Sequence, residues 1–186
     1  MTFRRGFKTE AGSTAAELRA ELGLDALDPL DHLALAEQLA IPVVDLTDFE
    51  TDCPSAVAEL TGRSSRQFSA CTVHYGSRRL IIVNDCHGLV RQRSSVTHEC
   101  AHAVLAHPPM PPFNGTGCRH HNPGQEDEAN WLAGELMVTR SAALRAARSN
   151  ELSDVAELLG VSDEMLRWRV NMTGASKQAQ REAARS

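Results

Sequence analysis

The pattern His98-Glu99-Cys100-Ala101-His102 constrains this chain more than any other stretch. Residues four apart in an α-helix lie one turn apart on the same face, so both imidazoles can reach one metal ion. Glu99 then lies beside a water on that ion, and zinc lowers the pKa of such a water toward about 7. The pattern therefore predicts the metal-binding helix of a peptidase in which Glu99 moves the proton, against the alternative of two ordinary histidines on a solvated face.

A helix from about residue 89 to residue 106 is predicted to carry this pattern. Val96, Cys100, Ala103 and Val104 lie opposite the two histidines and indicate the side that packs on a core. Two prolines at 108 and 109 end the helix, because the residue before a proline is disfavoured in the helical region. The predicted helix is therefore amphipathic, as metal binding by both histidines requires.

A small sheet is predicted before this helix. Residues 68–75 and 78–84 are rich in β-forming residues and flank Gly76-Ser77, which is typical of a hairpin. The run from 80 to 83 is apolar throughout and should be the buried strand, whereas residues 68–75 should form an exposed rim that can hold an extended peptide. Residues 41–46 add a short strand, expected at an edge of the sheet because it contains a proline.

His107 follows the pattern closely, but geometry excludes it as the third ligand. It lies five residues after His102, or about 140° round a continuous helix. The extended pattern with a third histidine also requires glycine where this chain has Leu105, and its last histidine would fall at Pro108. We therefore expect His107 at the helix end, where it interacts with free backbone carbonyls.

The third ligand is expected on a second helix, over residues 123–138. Glu126 lies on the inward edge of its apolar face and completes a site of two histidines and one glutamate, with the fourth position open for water. Glu128 is the rival carboxylate, but it points about 200° away from Glu126 and is more typical of a solvated face. Asn130, one turn after Glu126, can orient a ligand through a hydrogen bond.

The negative charge that forms on a carbonyl oxygen during peptide hydrolysis requires a hydrogen-bond donor. The candidates are His74 and Tyr75 on the rim strand, and His120 and His121 in the proline- and glycine-rich connection between the two helices. The same connection holds Cys118, but adjacent histidines in a loop rarely bind one ion, which disfavours a separate metal site there.

Composition excludes several classes of protein. The net charge of -5 gives no chain-wide attraction for nucleic acid. No apolar run follows Met1 to indicate a signal peptide or a membrane span, and the five cysteines are an odd number without pair spacing. We therefore expect a cytoplasmic protein with reduced thiols and no membrane partner.

The chain is predicted to divide into a catalytic domain over residues 1–140 and a helical unit with helix-turn-helix spacing over residues 141–173. Residues 140–173 carry five arginines against five acidic residues, so attraction to phosphates is weak and direct binding of nucleic acid is disfavoured. The unit is expected to support the peptidase or to dock its substrate. Residues 174–186 are small and polar and are expected to be a flexible tail.

The chain resembles the ImmA/IrrE family of metallopeptidases over about residues 6 to 173. The stretches that carry the resemblance are residues 6–11, 81–84, 97–102 and 126–138. The resemblance implies an α+β, gluzincin-like fold in which a sheet of about three strands packs on the motif helix and the next helix carries a glutamate. It also implies that His98, His102 and Glu126 bind metal. Glu99 would then activate water.

Members of this family typically cleave or relieve a helix-turn-helix repressor encoded nearby. The resemblance thus implies a zinc endopeptidase, with manganese as the alternative metal, that acts on a co-encoded repressor. Two alternative hypotheses remain. One is a non-catalytic metal-binding sensor that binds the repressor stoichiometrically. The other is a DNA-binding regulator that uses the C-terminal helices. Retention of Glu99 favours the peptidase, because a structural metal site gains nothing from a general base.

Two departures from the family pattern remove no ligand. Cys100 replaces a more usual apolar residue inside the motif, and Val138-Thr139 stands where the family often has proline. The second departure affects only the place at which the glutamate-bearing helix ends.

Overall fold

The computed structural model of the protein describes residues 3–62, 64–108, 122–149 and 152–185. These residues form a mixed α+β fold, which confirms the predicted fold class. The strands are β1 (Val43–Asp45), β2 (Ala70–Tyr75) and β3 (Arg78–Val83). The helices are α1 (Phe7–Glu21), α2 (His32–Gln38), α3 (Pro54–Thr61), α4 (Leu89–Val104), α5 (Pro123–Met137), α6 (Arg140–Arg148), α7 (Leu152–Leu159), α8 (Asp163–Met172) and α9 (Ala175–Ala183). None of these helices combines the length and the apolar content needed to cross a lipid bilayer.

The strands form one sheet in the order β1-β3-β2. Strand β3 lies in the centre, parallel to β1 and antiparallel to β2, with Ile82 opposite both Val44 and Cys71. Gly76 adopts a φ of 60° in the turn between β2 and β3, a left-handed backbone that its missing Cβ permits. The predicted hairpin and the edge position of β1 are confirmed, and Ile81 shows that β3 is the buried strand, since it has no exposed surface.

Helix α4 packs against β2, β3, α2 and α5. Val96 and Cys100 are fully buried, as the apolar pattern predicts, and Ala101 is buried with them. Ala103 and Val104, predicted on the same side, are only half-buried, because they lie in the last turn of the helix. The motif therefore lies on a helix whose central turns are fixed by the core.

Helix α1 holds the C-terminal half of α5 in place. The ring of Phe3 lies 5.2 Å from the rings of Phe7 and Trp131. The guanidinium of Arg19, 3% exposed, donates to the backbone carbonyls of Leu136 and Asp28, each at 2.8 Å. The helix that carries Glu126 is thus anchored by contacts far from Glu126 in the sequence.

The C-terminal helices share their core with the rest of the protein. Leu166 and Ala175 belong to the same buried cluster as Phe7. The fully buried guanidinium of Arg169 donates to the carbonyl of Val138 at 3.1 Å and pairs with Glu135 on α5. The core therefore runs across residue 140, where the sequence predicts a boundary between two units.

The segment over residues 174–186, expected to be a flexible tail, contains helix α9. This helix packs on α6, buries Ala175 and Ala179, and joins Arg148 to Glu182 by an ion pair of 2.6 Å. Two of the small side chains that suggest a flexible tail, Ala175 and Ala179, are thus part of a packed helix face. The structure corrects the expectation for residues 175–183.

Candidate metal centre

Three side chains converge where α4 faces α5. Nε2 of His98 lies 3.0 Å from Nε2 of His102. Glu126 places Oε2 at 3.3 Å from the first of these nitrogens and Oε1 at 3.5 Å from the second. Across the described ranges, these residues are the one group of three or more potential metal ligands. The structure therefore brings together both histidines of the motif and the carboxylate that the sequence favours.

The spacing of these atoms fits a tetrahedral ion. Ligand atoms about 2.1 Å from one such ion stand about 3.4 Å apart. The separations of 3.0, 3.3 and 3.5 Å are close to that value. Two imidazole nitrogens and one carboxylate oxygen are also a donor set that zinc uses in catalytic sites, where one position stays open. The residues present therefore fit a zinc ion.

The charges of this centre favour a cation. The neighbouring imidazoles of His102 and His98 hold the pKa of Glu126 well below its usual range, although burial opposes them. Burial disfavours the charged form of His98, but the hydrogen bond to Glu126 and the charge of Glu99 outweigh it, so the pKa of His98 is raised. The two histidine side chains are 22% exposed and that of Glu126 is 33% exposed, so solvent reaches the centre.

Glu99 lies next to the centre, on the side of the sheet. The hydroxyl of Thr72 on β2 donates a hydrogen bond of 2.5 Å to Oε2 of Glu99. The next residue, Cys100, has no exposed surface, and burial raises the pKa of its thiol to about 12. This cysteine is therefore a protonated core residue and adds no ligand to the centre.

The centre also has contacts beyond its three candidate ligands. Asn130 is one of the groups that raise the pKa of His98, after Glu126 and Glu99. Nδ1 of His102 lies 2.8 Å from Nδ1 of His107, and Nε2 of His107 lies 3.4 Å from Oε2 of Glu128. Both nitrogens of the His107 ring are therefore engaged by side chains, which replaces its expected interaction with free carbonyls.

Glu128 is less solvated than its position on the helix suggests. Its side chain is 21% exposed and lies between His107 and Arg4, whose Nε is 3.6 Å from Oε1. It is not among the three residues whose ligand atoms converge. The structure thus places the rival carboxylate beside the centre, one contact away from His102.

The oxyanion candidates lie in different places. Side chains alternate along a strand, so His74 shares the face of Thr72 whereas Tyr75 lies on the opposite face. Tyr75 is also 76% exposed. The geometry therefore favours His74 over Tyr75, while His120 and His121 lie outside the described residues.

Two contacts of the centre are not predicted by the sequence. Thr72 is one residue of an alternating strand, and its spacing does not single it out until the packing of β2 on α4 is known. The contact of His107 with His102 is not predicted either, because a rotation of 100° per residue applies only within a helix, whereas α4 ends at Val104 and Ala106 adopts a left-handed φ of 52°. Pro108 and Pro109 predict that the helix ends before them, but they do not predict the left-handed conformation of Ala106.

A peptidase family described as the IrrE N-terminal-like domain matches residues 54–171 of the 186. The chain belongs to this family. The matched segment contains the whole motif and Glu126, and it confirms the resemblance seen in the sequence. No curated protein and no solved structure gives a significant match to the chain. Membership of the IrrE N-terminal-like family supports a peptidase function for the centre.

Proposed function

We propose that this protein is a zinc-dependent endopeptidase, with manganese as the alternative metal, that cleaves one specific protein substrate. The proposal depends above all on the convergence of two histidines and Glu126 beside Glu99, in a chain of a peptidase family. Zinc in this centre would supply a Lewis acid that polarises a carbonyl and lowers the pKa of a water to about 7. The other parts of the reaction belong to the protein's own side chains.

Glu99 is the general base of the proposed reaction. Its carboxylate accepts a proton from the attacking water and passes it to the leaving amine. The hydroxyl of Thr72 holds Oε2 of this carboxylate, which leaves Oε1 for the water. His74, on the same face of β2 as Thr72, is the proposed donor to the oxyanion.

Strand β2 is the proposed binding edge for the substrate. Within the described sheet it pairs with β3 on one side only. The N–H of Asn84 donates to the carbonyl of Ser69, so hydrogen-bonded pairs recur at every second residue and the backbone groups of Thr72 and His74 face the free edge. An extended peptide can add to this edge as a further strand. Because Thr72 contacts Glu99, such a peptide would pass beside the base.

The proposed substrate is a helix-turn-helix repressor encoded nearby, in keeping with the family resemblance, and the proposed location of the reaction is the cytoplasm. Helices α7 and α8 are proposed to dock this substrate. Residues 140–173 balance five arginines with five acidic residues, which suits a protein partner better than a phosphate backbone.

Cleavage of the repressor encoded beside this protein tests the proposal. Wild-type protein with zinc or manganese should cut it, Glu99→Gln should bind metal without cutting, and both His98→Ala and Glu126→Ala should lose metal. A repressor that stays intact with wild-type protein under every metal tried overturns the peptidase. Relief of repression by Glu99→Gln at wild-type level would instead identify the non-catalytic sensor. Salt-sensitive DNA binding that survives a chelator would identify the DNA-binding regulator.

A further inference from the structure

His107 and Glu128 form a chain of contacts that ends on His102. Nδ1 of His102 lies 2.8 Å from Nδ1 of His107, and Nε2 of His107 lies 3.4 Å from Oε2 of Glu128. The side chain of His107 is 9% exposed and that of Glu128 is 21% exposed. Oε1 of Glu128 faces Arg4, whose Nε is 3.6 Å away, so both oxygens of the carboxylate have a partner.

The backbone at the end of α4 brings His107 back over His102. The N–H of His107 donates to the carbonyl of His102 at 3.0 Å, and the N–H of Ala106 donates to the carbonyl of Ala103 at 3.1 Å. This pair of bonds is the Schellman motif, in which a left-handed residue follows the C-cap residue of the helix, here Leu105. Ala106 fills that position with a φ of 52°, a conformation that L-residues other than glycine, asparagine and aspartate seldom adopt. The arrangement is therefore held against a local backbone preference.

The end of α2 forms the same Schellman motif with an apolar pair of side chains. Ala40 has a φ of 53°, and the N–H of Ile41 donates to the carbonyl of Ala36 at 2.9 Å. Ala36 and Ile41 are both buried and apolar, which is the hydrophobic contact that usually accompanies the motif. At the end of α4 the two corresponding positions are held by His102 and His107. A polar pair thus stands where the fold elsewhere uses an apolar one.

The hydrogen bonds of this chain of contacts have one consistent direction. A carboxylate only accepts, so Nε2 of a neutral His107 must carry the proton that Glu128 binds. Nδ1 of His107 is then an acceptor, and Nδ1 of His102 must carry the proton between the two rings. Nε2 of His102 is left with a free lone pair, and it is this atom that lies 3.0 Å from Nε2 of His98 and 3.5 Å from Glu126.

We propose that His107 and Glu128 are positioning residues that fix the tautomer and the ring orientation of His102 as a metal ligand. The proposal rests on the proposed metal centre for its function, although the tautomer itself does not require an ion. Helix α5 therefore supplies one ligand, Glu126, and, through Glu128, the outer support of another. Outer hydrogen bonds of this kind are worth about 10- to 100-fold in metal affinity.

Three variants separate this role from simple packing. His107→Leu keeps a bulky side chain at the helix end but removes the acceptor nitrogen. His107→Asn restores an acceptor oxygen near the place of Nδ1. Glu128→Ala removes the far end of the chain of contacts without changing either ring. It provides the same test if His107→Leu fails to fold.

Zinc affinity, measured by competition with a chromophoric chelator, is the first readout. We expect His107→Leu and Glu128→Ala to bind zinc about 10- to 100-fold more weakly than wild type, and His107→Asn to recover most of the loss. Equal zinc affinity in wild type and His107→Leu would overturn the inference, as would a loss in His107→Asn as large as in His107→Leu.

The tautomer of His102, read from the ¹⁵N shifts of its ring in metal-free protein, is the second readout. Wild type should carry the proton on Nδ1, and His107→Leu should shift it to Nε2, a change that a packing defect alone would not cause. A wild-type His102 protonated on Nε2 would overturn the inference. If the wild-type protein binds no metal, the proposed function is wrong. The ¹⁵N shifts of the His102 ring still test whether His107 and Glu128 fix its tautomer.

Discussion

The hydroxyl of Thr72 on β2 donates a hydrogen bond of 2.5 Å to Oε2 of Glu99 on α4. The bond joins the rim of the sheet to the motif helix across 27 positions of sequence. Because the backbone of Thr72 also faces the edge of β2 that pairs with no described strand, one residue lies between the proposed base and the proposed substrate strand. The orientation of the base is thus tied to the place where the peptide would lie.

Replacing Thr72 by valine should slow catalysis while leaving substrate binding nearly unchanged. Valine has the shape of threonine but cannot donate to Glu99, and a hydrogen bond to a charged group is worth about 1.5–3 kcal/mol. We expect kcat to fall about 10- to 100-fold with KM within a factor of about two. Thr72→Ser, which keeps the hydroxyl, should retain most of the rate. A valine variant with wild-type kcat would show that the bond does not position the base.

Zinc should raise the thermal stability of the protein, and the rise should depend on Glu126. A ligand at 100 times its Kd adds about 2.7 kcal/mol to folding, which corresponds to a rise in Tm of roughly 5–10 °C for a chain of this size. Glu126→Gln removes the charge at nearly constant volume and should lose most of this rise. Glu182→Gln on α9 is the matched control and should keep it. A zinc-dependent rise of equal size in Glu126→Gln would remove Glu126 from the ligand set.

The sequence predicts the parts of this fold that depend on short-range pattern. The hairpin follows from two β-rich runs around Gly76-Ser77, and the spacing of His98 and His102 places them on one face of a helix. Glu126 follows from the apolar periodicity of its own helix. Each of these predictions needs only residues within a few turns or within one hairpin, where backbone geometry is nearly fixed.

The parts that the sequence does not predict depend on contacts between distant segments. The bond from Thr72 to Glu99 exists only because β2 packs on α4, and the bond from Arg19 to Leu136 at the end of α5 spans 117 residues. Helix α9 buries Ala175 and Ala179 and packs on α6, a contact between separate segments that the sequence alone does not show. His107 depends on one left-handed alanine, which spacing on a regular helix does not anticipate.

Glycine at position 106 should stabilise the protein, because Ala106 adopts a left-handed backbone. The left-handed conformation costs an L-residue about 1–2 kcal/mol, and the extra freedom of glycine in the unfolded chain offsets about 0.4–1 kcal/mol of that gain. Ala40→Gly is the matched variant, since Ala40 holds the same conformation at the end of α2. Both variants should gain roughly 0.5–1 kcal/mol in urea unfolding and keep wild-type zinc affinity. A loss of stability in both would contradict the left-handed assignment.

Stability should fall on acidification through the pKa of a histidine remote from the metal centre. His32, at the start of α2, is 6% exposed, and burial lowers its pKa, with Asp31 opposing the shift and Arg93 adding to it. A histidine whose folded pKa lies below its unfolded value of about 6.5 binds more protons when unfolded. Its favourable contribution is therefore fully present above pH 6.5 and is lost as the pH falls toward the folded pKa. His32→Phe cannot be protonated, so its free energy of unfolding should change less than that of wild type between pH 7.5 and pH 5. Urea unfolding with a chelator present measures this difference without metal binding, and an equal pH dependence in the two proteins would show that His32 is not protonated on unfolding.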